Sequence, residues 1–151
     1  MEKNIGFLRR VSGHTFDTVY DLVFTTERVI ALIVEHPGDI PHKFGMTEML
    51  IGRRLGKQGE RVERKRIAEE RRRLYEGKGL DELVGLHRLN FEIYYREIVS
   101  VEVDRGLFQS SLKFHLSGPL KSGRAVRFGL GRGQVEEARK LIDQTLPPKH
   151  G

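Results

Sequence analysis

Ten cationic side chains within twenty-one residues are the strongest chemical signal in the chain. Arg53, Arg54, Lys57, Arg61, Arg64, Lys65, Arg66, Arg71, Arg72 and Arg73 meet only four glutamates in that window, for a net of +6. That equals the formal charge of all 151 residues, because the seventeen basic and seventeen acidic residues elsewhere cancel. A cationic segment on a neutral body suits the neutralisation of phosphates or docking on an acidic surface. The plainer use of the same residues is a solvated helix. Glu60–Arg64 and Glu69–Arg73 are i,i+4 pairs in the favourable order, worth about 0.3–0.5 kcal/mol each. Ten cations exceed what solubility requires, so the segment is expected to contact an anion or a partner.

The other chemistry-bearing clusters have simpler explanations. Gly129-Leu130-Gly131-Arg132-Gly133-Gln134 follows a strand pattern and opens a helix, a context that can hold phosphate. It fits neither glycine-rich nucleotide motif, and no βαβ unit surrounds it, so a turn is the expected use. Glu35, His36, Asp39 and His42 offer imidazoles and carboxylates, but their spacing is irregular and prolines intervene. They are expected to be turn residues, with no metal. The absence of cysteine excludes disulfides, thiolate ligands and cysteine nucleophiles. No serine sits in G-x-S-x-G, and no H-E-x-x-H occurs. No residue set supports catalysis, and neither enzyme activity nor a cofactor is expected.

The elements that must position the basic segment can be read from periodicity. Over Ile5–Glu35, Phe16, Tyr20, Leu22 and Phe24 share one parity, and Asp17, Val19, Asp21 and Val23 the other, which predicts a strand with one face suited to burial. Thr25-Thr26-Glu27-Arg28 links it to Val29–Val34, a run apolar on both faces that belongs inside a sheet or under a covering element. His36-Pro37-Gly38-Asp39-Ile40-Pro41 ends that strand.

Gly45–Gly79 is helical. Thr47 is placed to cap a short helix through Leu55, and a helix polar nearly all round follows, closed by Gly77-Lys78-Gly79. Asp81 is read as the cap of a short turn. Strands resume in an antiparallel meander. Val99, Val101 and Val103 share one face, Leu112, Phe114 and Leu116 the next, and Val126, Phe128 and Leu130 the last. Asp104-Arg105-Gly106 and Ser117-Gly118-Pro119 to Gly123 form the turns. Tyr94 and Tyr95 point to opposite faces, one of them into the core. A terminal helix over Gln134–Thr145 carries Val135, Ala138, Leu141, Ile142 and Leu146 on one face, and Pro147-Pro148 stops it.

Two of these elements resemble a known family. Val23-Phe24-Thr25-Thr26-Glu27-Arg28-Val29-Ile30 is similar to the strand–turn–strand hairpin of GRAM-type and bacterial pleckstrin-homology-like domains. Glu92-Ile93-Tyr94-Tyr95-Arg96-Glu97-Ile98-Val99-Ser100-Val101-Glu102 resembles a second element of that family, and Leu112-Lys113-Phe114 and the terminal helix follow in the same order. The resemblance covers roughly Thr15–Val34 and Phe91–Leu146. The chain departs from the pattern by some forty inserted residues, and by Tyr94 where proline usually stands.

The resemblance implies a mainly β chain with helices (α+β). Its expected form is a curled antiparallel sheet or barrel of about seven strands, capped by the C-terminal helix. The whole of 1–151 is read as one domain with a helical insertion at about 45–86. It also implies an interaction module, since family members associate with membranes or proteins. The leading expectation is a protein partner or self-association through the basic helix. Sequence-independent nucleic-acid binding is the alternative, and an anionic lipid surface is weaker, because the helix lacks a broad apolar face. No apolar run approaches the ~18 residues of a membrane span. The first ten residues lack a signal-peptide pattern, and a cytoplasmic setting is the expectation.

Overall fold

The computed structural model describes residues 1–13, 15, 17–39, 46–117 and 124–146, with the backbone alone over 46–58. Three strands open the chain, β1 (Asn4–Ser12), β2 (Val19–Thr25) and β3 (Arg28–Glu35). Helices α1 (Met46–Tyr75) and α2 (Leu80–Leu83) follow. Four more strands, β4 (Phe91–Tyr94), β5 (Ile98–Asp104), β6 (Ser110–Leu116) and β7 (Arg124–Leu130), lead to helix α3 (Gln134–Thr145). The class is α+β: one antiparallel seven-stranded sheet, a helix between its halves, and a C-terminal helix packed on it.

The strand order is β4-β3-β2-β1-β7-β6-β5. Among the described residues the two halves meet at a single β1–β7 pair, Ser12 with Gly129. A Cβ on Gly129 would lie 3.1 Å from that of Ser12 and 2.2 Å from the Gln109 side-chain amide nitrogen, so a larger residue would have to push the Gln109 side chain aside. The sheet is not closed. β4 and β5 are its two edges, joined in sequence by the turn at Tyr95–Glu97 and not paired with each other. The expected barrel is therefore an open sheet, because four-residue β4 pairs only with β3 and the β1–β7 seam is one residue pair long.

Period-2 alternation places the main core on one face. Tyr20, Leu22 and Phe24 of β2, Val29, Ala31 and Ile33 of β3, and Leu112, Phe114 and Phe128 of the second half are buried together. Val135, Ala138 and Leu141 of α3 join them at helical spacing, with Ile142 and Leu146 packed at the margin. Phe16, Pro147 and Pro148, and the turn residues 118–123, lie outside the described residues. Tyr95 is the core-packed member of its pair. Its hydroxyl donates to the Thr25 carbonyl at 2.5 Å, and burial pushes its phenol up to about 12. Tyr94 instead lies beneath the guanidinium of Arg96 at 4.8 Å.

The opposite face of β2–β3 is covered too. Val23, Ile30 and Leu32 pack against Tyr75 of α1 and Leu83 of α2. This explains why β3 is apolar on both faces, and it corrects the reading of β2 as buried on one face only: Asp21 and Val23 are also inside.

Three further expectations change and one stands. Val99 is half-exposed rather than aligned with Val101 and Val103, because the β5–β6 register slips between Ile98 and Ser100 and turns Ile98 inward instead. Helix α1 is continuous from Met46, so Thr47 is its second residue rather than the one before its start. Asp81 does not cap α2, whose N-cap is Gly79 with no side-chain cap; its carboxylate takes a hydrogen bond from Arg28 at 2.8 Å. Gly77 does close α1, with a φ of 73° in the region glycine favours.

Candidate functional site

Helix α1 divides into an anchored end and an exposed run. Ala68 and Tyr75 are buried, and Arg64, Ile67, Arg71 and Arg72 partly so, a spacing of three and four residues that defines the side facing the sheet. Tyr75 donates its hydroxyl hydrogen to the Ile33 carbonyl at 2.8 Å. Asn90 completes the seam, accepting from the Ile33 N–H at 2.7 Å and donating to the Leu83 carbonyl at 3.0 Å.

Arg71 and Arg72 are part of that anchor, which corrects the expectation that both are solvated. Arg72 makes a two-pronged pair with Asp21, Nε to Oδ2 at 2.7 Å and Nη2 to Oδ1 at 3.0 Å. Arg71 donates to the Val34 carbonyl at 3.0 Å and grips the Asp39 carboxylate with both terminal nitrogens. The planar guanidinium suits this fork geometry. Removing one partner of a buried pair strands the other charge, at about 3–5 kcal/mol. The physical reason for the correction is distance along the chain: the partner carboxylates lie on β2 and in the turn after β3.

The exposed run is different. Arg61, Arg64, Lys65 and Arg73 form no ion pair with any described residue. Arg66 bridges Glu63 and Glu70, an exposed arrangement of little energetic weight. The expected Glu60–Arg64 and Glu69–Arg73 pairs do not form among the described residues. Arg64 turns instead toward the β1–β2 turn, where it borders a cleft with Asp17 and Glu35. Val62 and Leu74 are exposed beside these cations, at 69% and 48%. The side chains of Arg53, Arg54 and Lys57 lie outside the described residues, on the same helix one to three turns earlier.

The remaining candidate clusters are structural. Gln134 occupies the glycine turn before α3: its Oε1 accepts from the Gly131 N–H at 2.7 Å, and its Nε2 donates to the Arg9 carbonyl. Glu35 pairs with Arg10 at 3.2 Å and Asp39 with Arg71, while His42 lies outside the described residues. No group of three or more His, Asp or Glu among the described residues could hold a metal. No described helix is long and apolar enough to cross a membrane.

One hub escaped the sequence reading. Arg28 is almost fully buried and is met by three carboxylates: Glu2 at 2.8 and 3.0 Å, Asp81 at 2.8 Å, and Glu92. It ties the N-terminus, α2 and β4 to the first hairpin. Burial pushes the Glu2 carboxyl up, but hydrogen bonds from Arg28 and Thr25 outweigh that and hold it below its usual range.

The root of α1 is also sensitive to protons. His36 Nδ1 accepts from the Gly38 N–H at 3.1 Å, and its Nε2 lies 3.0 Å from Asp39 Oδ1 and 3.2 Å from Arg71 Nη2. His87 packs edge-on against His36 at 5.3 Å. Burial, and then the nearby Arg71 and Arg88 charges, lower both imidazoles below the ordinary 6.5. Asp39 is pushed up by burial but is held net below 3.8 by Arg71 and the His36 N–H. Groups with lowered folded pKa values stabilise the fold above their unfolded values and lose that contribution as pH falls. The urea midpoint is expected to decline from about pH 6.5 downward as the unfolded histidines take protons, and further below about pH 4 as Asp39 and Glu2 do. A midpoint constant from about pH 7.5 to 5 would contradict the histidine assignment.

Compared with family models, with curated proteins and with solved structures, the chain matches none.

Proposed function

We propose that this chain is a cytoplasmic, non-enzymatic interaction module of the pleckstrin-homology-like type, and that the exposed run of α1 is its contact surface. The proposed partner is a protein with an acidic face, or a second copy of the chain. The strand order with a C-terminal helix after β7, and the Thr25–Arg28 hairpin, support the family reading. The observation that carries the functional reading is the division of labour along α1. Arg71 and Arg72 are held by carboxylates of the body, whereas the exposed Arg61 and Lys65 form no ion pair among the described residues. Exposed Val62 lies among these cations, and a mixed apolar and cationic strip suits a protein surface better than a phosphate backbone.

The test is a double charge reversal, Arg61→Glu and Lys65→Glu, read by light scattering and partner capture. The melting temperature is expected to stay near that of the parent chain, because these side chains carry no structural pair. The oligomeric mass or the captured partner is expected to be lost. Mixed-sequence duplex DNA is expected to bind feebly. A steep salt dependence, near −0.9 per phosphate neutralised, would instead establish the nucleic-acid alternative. If mass, capture and DNA binding all stay unchanged, the exposed run is only a solvated helix.

A further inference from the structure

A cavity of about 330 Å³ lies on the outer face of the first half of the sheet, away from the exposed run of α1. This is within the range of small-ligand pockets, about 300–1,000 Å³. Its floor is the second core, where Val23, Leu32 and Tyr75 are buried. One wall is the outward side of β1, Phe7 and Arg9, and the other is the turn after α1 with Lys78 and Leu80. Gly77, at a φ of 73°, lets the chain reverse so that this turn borders the cavity.

The charges lining it do not balance. Asp21 is saturated, accepting two hydrogen bonds from Arg72 and one from the Arg10 N–H at 3.0 Å, and it neutralises Arg72. Arg9 stacks its guanidinium 5.2 Å over the Phe7 ring and has no carboxylate partner among the described residues, nor has Lys78. Against these two cations stands one exposed carboxylate, Glu76. The excess is a single positive charge beside an apolar floor.

We propose that this cavity binds a small amphipathic monoanion, a carboxylate with an aliphatic body, its head between Arg9 and Lys78 and its tail against Phe7 and Leu80, above the buried floor. Charge complementarity selects the monoanion, and the apolar lining selects the tail. The proposal is independent of the contact surface on α1.

The test is a titration of the full chain with decanoate, followed by heteronuclear NMR, beside decyltrimethylammonium, which has the same tail and the opposite charge. Saturable shifts at Phe7, Lys78 and Leu80 are expected with decanoate and not with the cation. The double variant Arg9→Gln, Lys78→Gln is expected to lose at least about tenfold in affinity, the equivalent of one charge-assisted hydrogen bond. Absent or non-saturable shifts, equal binding of the cation, or unchanged affinity in a folded double variant would each overturn the site. The comparison of the two probes on the parent chain decides the matter even where the variant fails to fold.

Discussion

Deleting Arg53–Gly79 and closing the gap with a short Gly/Ser linker is expected to give an insoluble or molten chain. On sequence grounds alone the excised segment is an appendage, and its loss should leave a folded body. The structure reverses that expectation. The deletion removes Tyr75 from above Val23, Ile30 and Leu32, and re-exposing three such side chains costs roughly 1.5–3 kcal/mol each by transfer energetics. The total rivals the 5–15 kcal/mol by which a whole domain is stable. It also strands Asp21 and Asp39 without Arg72 and Arg71. A soluble product with a cooperative melt like that of the parent would show that the second core contributes little.

Phe128→Ala is expected to cost about 3–5 kcal/mol, the usual range for emptying a phenylalanine site. Phe128 is fully buried, stacked on Phe91 at 6.1 Å and edge-on to Tyr20 and Phe114 at 6.2 and 6.3 Å. Its ring therefore joins β7 to β6, β2 and β4, across a seam with only one β1–β7 backbone pair. A urea titration measures the loss, and Phe128→Leu should recover part of it by restoring volume. A loss below about 1 kcal/mol, typical of an ordinary substitution, would mean that the halves are held together elsewhere.

What could be read from the sequence, and what could not, follows from how far each signal reaches along the chain. Strand parity and the stripe on α3 are local, so Tyr20, Leu22, Phe24, Leu112, Phe114, Val135, Ala138 and Leu141 fall where their spacing puts them. Val99 does not, because a bulge is set by the partner strand as well as by its own residues. The double burial of β3 was legible in its apolar run, but what covers it was not. Arg71 and Arg72 illustrate the limit most clearly. Their partners lie 32 and 51 residues away, and a run of like charges looks uniform until some of its members find them. A signal was present: Asp21, between Tyr20 and Leu22 in a strand that the core buries, requires a cation. The Arg28 hub was hidden similarly, because its three carboxylates come from three separate segments.

The central claim is that α1 is one helix with an anchored end and an exposed run, and native-state hydrogen exchange tests it most directly. Amides from Ala68 to Tyr75 share the buried seam, so they are expected to exchange only with global unfolding. From Arg61 to Arg66 every side chain but that of Arg64 is exposed, so these amides rely mainly on a helix that is marginal by itself and are expected to exchange orders of magnitude faster, slowing only when a partner or second copy is bound. Uniform protection along the whole of α1 in the isolated monomer would contradict the division, and with it the assignment of Arg61 and Lys65 as a free contact surface.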